Sequence, residues 1–176
     1  MKNKIIISGF GGQGVMLSGT LLCHAGMLEN KFVTFFPSYG AEMRGGTANC
    51  QVIISDQTIG APVVKNPDIL VSFNKPSFSK FSSKVKSGGL ILANSSLYQP
   101  EKISSIEIAE IPANDLAEQC GSVLVLNLVM LGALASKTGI LKLESITQSV
   151  PEVLSKKKNL WEINKKALEA GFDYLK

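Results

Sequence analysis

Arginine is almost absent from this chain: of eighteen basic side chains only Arg44 is one. Nucleic-acid surfaces usually draw on arginine forks and an aromatic-basic stripe, so a net charge of +4 carried by scattered lysines argues against a nucleic-acid partner. The densest basic run, Lys156 to Lys158, reads as a solvated helix-linker face, with an acidic partner surface as the alternative. Histidine occurs once, as His24. A histidine-rich metal site is thereby excluded, and no G-x-S-x-G elbow is present to support a Ser-His-Asp apparatus resting on that one ring. His24 falls on the stripe Leu17, Leu21, His24, Leu28, which predicts an apolar helix face. Cys23, Cys50 and Cys120 are widely separated and never in C-x-x-C spacing, so the chain is expected to carry no metal or iron-sulfur cluster by itself. Each cysteine reads as a small buried hydrophobe. No signal peptide and no apolar run of membrane-spanning length is evident, which points to a soluble protein of the reducing cytoplasm, away from membranes.

Within 176 residues, 45% of them hydrophobic, the chain has enough apolar material for one substantial core, and 1–176 reads as a single domain. Lys4 to Ser8 is a compact apolar run ending on glycine and followed by a helix pattern from Val15 to Leu28, a β-loop-α unit. Phe32 to Phe36 is the next predicted strand, stopped by Pro37. Thr47 to Ile54 alternates and predicts a half-exposed strand. Asp68 to Phe73, Leu90 to Ala93 and Ile106 to Ile111 are further predicted strands, with a short helix from Pro76 to Val85. Helical periodicity then fills Ala113 to Gln119, Val123 to Lys137, Leu143 to Val150 and Leu160 to Ala170, with Gly139 and Gly171 as stops. The expected fold is α/β and Rossmann-like: an open, mostly parallel sheet with helices on both faces and a helical C-terminal part. Leu124 to Ala135 is too short to span a membrane and reads as a core or interface helix.

Two glycine-dense loops stand out, and both should lie at one edge of the sheet, where α/β folds place ligands and partners. In the first, Gly9, Gly11 and Gly14 satisfy G-x-G-x-x-G between a strand and a helix, a pattern that permits a tight turn and close approach to helix-terminal N–H donors. A dinucleotide site also needs an acidic ribose clamp about 20 residues further on, at the end of the second strand. That strand ends Phe35-Phe36-Pro37, and no K-[ST] follows the loop to make a P-loop. A phosphate or other anion and an architectural or subunit-docking turn both remain open. Gly12 and Gln13 are unnecessary for a plain Rossmann turn and suggest an amide held at a contact surface. In the second loop, Ser38, Tyr39, Gly40, Glu42, Arg44, Gly45 and Gly46 bring a phenol, a carboxylate and a guanidinium together with backbone that can be closely approached. Arg44 fits either an ion pair with Glu42 that stiffens the turn or a planar fork offered to a neighbouring active site or an anion.

The stretches ISGFGGQGVMLSG and FFPSYGAEMRGGTANCQVIIS resemble the gamma subunit of 2-oxoacid:ferredoxin oxidoreductases. The likeness continues through IGAPVVKNPDILVSFNKPS, SGGLILANSSL and NLVMLGALA, and the second loop is most similar to the 2-oxoglutarate (2-oxoglutarate synthase) branch. The resemblance implies a multi-subunit enzyme that decarboxylates a 2-oxo acid, transfers the acyl group to coenzyme A and reduces ferredoxin. Thiamine diphosphate, Mg and iron-sulfur clusters would belong to partner subunits, alpha, beta and possibly delta. This chain lacks cluster cysteines and a G-D-G…N-N diphosphate-magnesium motif. Its implied part is to dock beside the thiamine-bearing subunits and shape the coenzyme A side of the site, inactive alone. No residue is proposed as acid, base or nucleophile; both loops would act by positioning. Alternatives from other classes are a freestanding Rossmann-like nucleotide-binding or regulatory module and a homodimer built on the helix around Asn127 to Ala135.

Overall fold

A computed structural model describes residues 1–39, 47–154 and 160–176, with the Tyr39 side chain left out of that description. The order is β1 (Lys2–Phe10), α1 (Val15–Leu28), β2 (Phe32–Tyr39), β3 (Thr47–Ser55), β4 (Ile69–Ser72), α2 (Lys75–Phe81), β5 (Leu90–Asn94), β6 (Glu107–Ile111), α3 (Ala113–Gln119), α4 (Leu126–Thr138), α5 (Leu143–Val153) and α6 (Trp161–Tyr174). The six strands form one sheet in the order β2-β3-β1-β4-β5-β6. Pairings from β1 through β4 and β5 to β6 are parallel, whereas β3 runs antiparallel to both β1 and β2. The expected open, mostly parallel α/β sheet is therefore present, with one reversed strand inserted beside β1. The span 40–46 is too short for a parallel crossover, which needs about a dozen residues or more, so β3 must return against β2.

The two faces of the sheet are covered unequally. Ile5, Ile7, Val52, Ile54, Val71 and Leu92 face a thick helical layer that includes α1, α4 and α6. On the other face Ile6, Ile53, Leu70 and Ile91 meet Phe78 and Phe81 of α2, together with Val64, Val85 and Tyr98 from the connecting segments. Residues Leu126 to Ala135 of α4 are all buried within the chain. That occupancy closes off the homodimer through this helix. Gly132 lies on the main chain of Leu168, and Gly171 lies on the Val129 carbonyl, so closely that a methyl at either position would overlap backbone. Two helices meet there at main-chain distance.

Several boundaries differ from the sequence reading, each for a structural reason. β2 continues through Pro37 to Tyr39, because it is an edge strand and a missing N–H is tolerated there. β3 is buried on both faces rather than half exposed, since it lies between β1 and β2 and residues 59–64 cover its second face; Gln51 Oε1 accepts the Val64 N–H. Gly171 sits inside α6 and serves packing, whereas Gly139 does end α4, at φ 59°. The predicted helix from Pro76 to Val85 is α2 plus a 3-10 turn, Ser82–Lys84. On α1 the buried residues are Val15, Ser18, Gly19, Leu21, Leu22, Cys23, Ala25 and Gly26, so Leu21 of the predicted stripe is buried and Leu17 packs partly against the core. His24 stands half-buried beside it, with Nδ1 3.6 Å from Glu152, and Leu28 is exposed. Lys156 to Lys158 lie outside the described residues.

Candidate functional site at the C-terminal margin of the sheet

Phe10, the last residue of β1, pairs with Thr47, and Tyr39, the last of β2, pairs with Ala48. Because β3 is antiparallel to both, β1 and β2 point the same way and deliver their following loops to the same margin. One strand separates the loop roots, which places them roughly 10 Å apart at the usual interstrand spacing. The expected nearness of the two loop roots thus follows from topology. Ser38 is half-buried opposite Asn49 in β2. Gly40, Glu42, Arg44, Gly45 and Gly46 lie outside the described residues.

The first loop is held by its own glutamine. Gln13 N–H donates to the Phe10 carbonyl (3.2 Å), and Gln13 Oε1 accepts the Phe10 N–H (2.7 Å) and Asn74 Nδ2 (3.0 Å). Gly9 makes room for this arrangement, since a Cβ there would lie 2.8 Å from Gln13 Oε1. Gly11 and Gly12 are exposed, and Gly12 takes φ 95°. Gly14 begins α1 as a left-handed cap, φ 78°, and a Cβ on it would sit 2.6 Å from Asn127 Cγ. The first N–H groups of α1 have no acceptor within their own helix, as at any helix start. Their potential is uncompensated by acid, because the first turn carries no acidic residue.

Three asparagines that the sequence reading missed organise the margin behind the loop. Asn74 caps α2, its Oδ1 accepting the Ser77 N–H at 2.9 Å. Asn94, fully buried at the end of β5, donates to Asn114 Oδ1 (2.8 Å) and accepts the Ala113 N–H (3.2 Å). Asn127 is buried against Gly14, and its Nδ2 has no hydrogen-bond partner among the described residues. Hydroxyls fill the gaps: Ser8 Oγ meets Ser77 Oγ at 3.0 Å, and Tyr98 Oη reaches Ser72 Oγ at 2.8 Å, where burial pushes the phenol up to about 12. The available signal was local: Asn74 directly precedes Lys75-Pro76, the pattern of an N-cap followed by proline in the first turn. The partners of Asn94 and Asn127 are distant in sequence and leave no such mark.

Beside the margin, β2 forms one edge of the sheet and carries no charged residue, while Phe32, Phe35 and Phe36 remain partly exposed on it. β6 forms the other edge, is shorter, and presents Glu107 and Glu110, the former paired with Lys137 Nζ at 2.5 Å. Charge blunts the β6 edge against strand addition, and β2 has no such protection. Burial pushes the thiols of Cys23 and Cys50 up to about 12, so both stay neutral and are poor metal ligands as they stand. Among the described residues no group of three His, Cys, Asp or Glu side chains is arranged to hold a metal. No helix among them is long and apolar enough to cross a membrane.

Residues 4–174 match the family described as pyruvate ferredoxin/flavodoxin oxidoreductase. The 2-oxoglutarate synthase subunit KorC of Methanocaldococcus jannaschii is 36% identical over 180 residues, covering 100% of this chain and 95% of that protein. The ketoisovalerate oxidoreductase subunit VorA of Methanothermobacter marburgensis is 37% identical over 97% of this chain, but the chain spans only 36% of that longer protein. Among solved structures, the keto/oxoacid ferredoxin oxidoreductase gamma subunit from Geobacter sulfurreducens PCA superposes with a TM-score of 0.86 at 29% identity, over 98% of each chain. The family match over nearly the whole chain and the end-to-end similarity to these relatives lead to one assignment: the chain belongs to the pyruvate ferredoxin/flavodoxin oxidoreductase family.

Proposed function

We propose that the chain is the gamma component of a cytoplasmic 2-oxoacid:ferredoxin oxidoreductase. The complex would convert a 2-oxo acid, coenzyme A and oxidised ferredoxin to acyl-coenzyme A, CO2 and reduced ferredoxin. The observation that carries this reading is the C-terminal margin, where β1 and β2 end one strand apart, at the roots of the two glycine loops, and Gln13 stiffens the first loop. Such a margin suits a docking and site-shaping role, because small displacements of reacting groups are costly to rate. Gly9, Gly11, Gly12, Gln13 and Gly14 would form one half of the contact surface. Ser38, Tyr39, Gly40, Glu42, Arg44, Gly45 and Gly46 would form the other. Thiamine diphosphate, Mg and iron-sulfur clusters are assigned to partner subunits; the neutral buried thiols of this chain are consistent with that division. The internal bond from Phe10 N–H to Gln13 uses a donor that a nucleotide phosphate would want, which favours docking over a freestanding nucleotide site.

2-Oxoglutarate is proposed as the substrate, with the ketoisovalerate name among the relatives making 2-oxoisovalerate the first competitor to assay. The test is co-expression with partner subunits, then coenzyme A-dependent ferredoxin reduction with 2-oxoglutarate, 2-oxoisovalerate and pyruvate. Activity is expected only when this chain is present, highest with 2-oxoglutarate, and none from the chain alone. Partner subunits fully active without it would overturn the role; a different preferred oxo acid would overturn only the substrate.

A further inference from the structure

The polarity of the Gln13 carboxamide is dictated by its neighbours. Asn74 must turn its oxygen toward the Ser77 N–H, since a backbone N–H can only donate; its nitrogen then faces Gln13. Gln13 in turn meets two donors, Asn74 Nδ2 and the Phe10 N–H, so its oxygen faces both. Both lone pairs of that oxygen are committed. What remains is Nε2 with its two N–H groups, which meets no acceptor among the described residues, on a side chain that is only half-buried. A glutamine held this way has already lost its rotamer freedom, so an incoming acceptor meets little further ordering cost.

We infer that Gln13 is a fixed hydrogen-bond donor for an acceptor oxygen brought to the sheet margin, and that Asn74 is the positioning residue that sets its polarity. The inference rests on the gamma-component reading and adds the chemistry of what meets the first loop. The oxygen must accept without donating, as a phosphate, carboxylate or peptide carbonyl does. Two sources supply one: a main-chain carbonyl of the partner subunit and the phosphates of coenzyme A.

The test uses the assembled complex with Gln13→Glu, in which one carboxylate oxygen keeps both internal bonds while the outward donor becomes an anion. The thermal midpoint of the chain is expected to stay unchanged. Subunit affinity falling about tenfold or more, with the KM for coenzyme A unaltered, assigns the oxygen to the partner. A similar rise in that KM with assembly intact assigns it to the coenzyme, a size typical of losing a charge-assisted hydrogen bond. Asn74→Asp should reproduce the defect from a neighbouring side chain, because a carboxylate in that place would demand a donor and turn the Gln13 amide over. A merely structural role predicts the opposite pattern, with Gln13→Met lowering the midpoint and Gln13→Glu costing nothing in the complex. Gln13→Glu with unchanged affinity and KM in an active complex overturns this inference alone. Activity that never depends on the wild-type chain overturns the gamma reading and this inference with it.

Discussion

Gly132 and Gly171, where α4 meets α6, and Gly12, in the loop after β1, lack side chains for opposite reasons. At the helix crossing the missing methyl is itself the contact, since a Cβ would overlap the Leu168 or Val129 carbonyl. At Gly12 nothing among the described residues lies within 4 Å of where a Cβ would be, yet the backbone holds φ 95°. The first region tolerates no added atom; the second tolerates the atom but resists the angle. Main-chain contact closes the helix crossing, whereas the loop is open at Gly12 and tightly packed at Gly9 and Gly14 on either side of it.

The largest effect expected from that contrast is at the crossing. Gly171→Ala should lower unfolding free energy by about 3 kcal/mol, since the helices must separate to admit a methyl against backbone. Urea denaturation measures it, and a loss below about 1 kcal/mol would mean that the layer yields more readily than its geometry implies. Gly12→Ala should cost about 1 kcal/mol in the same assay, the usual strain of a left-handed alanine with open space around it. A loss equal to that at Gly171 would erase the distinction between the regions.

The smallest effect lies at the opposite margin of the sheet, where the contacts are charged and solvated. The Asp56 carboxyl is held down at about 2, first by its hydrogen bond from Lys31 Nζ at 2.6 Å and then by the amino group of Met1. A carboxyl lowered on folding contributes stability fully above its unfolded value, near 3.9, and loses that contribution as pH falls toward the folded value. Between about pH 4 and pH 2, therefore, the wild type should lose stability with acid more steeply than Asp56→Asn, and added salt should narrow the gap. Parallel acid curves for the two proteins would show that this pair is fully screened.

Local pattern was enough to define β1, its glycine loop and α1, because strand periodicity, glycine and helix periodicity succeed one another without interruption from Ile5 to Leu28. It was also enough to bring the roots of the two loops to one margin. What local pattern does not encode is which strand lies at an edge, so Pro37 read as a stop although an edge tolerates it. Nor does it encode which helices cross, so Gly171 read as a terminator although it is a contact. Gln13 was legible as an unusual residue but not as an oriented one. Its orientation depends on Asn74, which the fold brings to it across 61 positions of sequence.

The deep placement of Cys23 and Cys50 has a practical corollary. Alkylating reagents attack thiolates, and neither sulfur releases its proton near neutral pH. Half-buried Cys120, at the end of α3, is the most accessible of the three. A fluorophore or spin label placed there would report from the helical layer, next to Lys166 of α6.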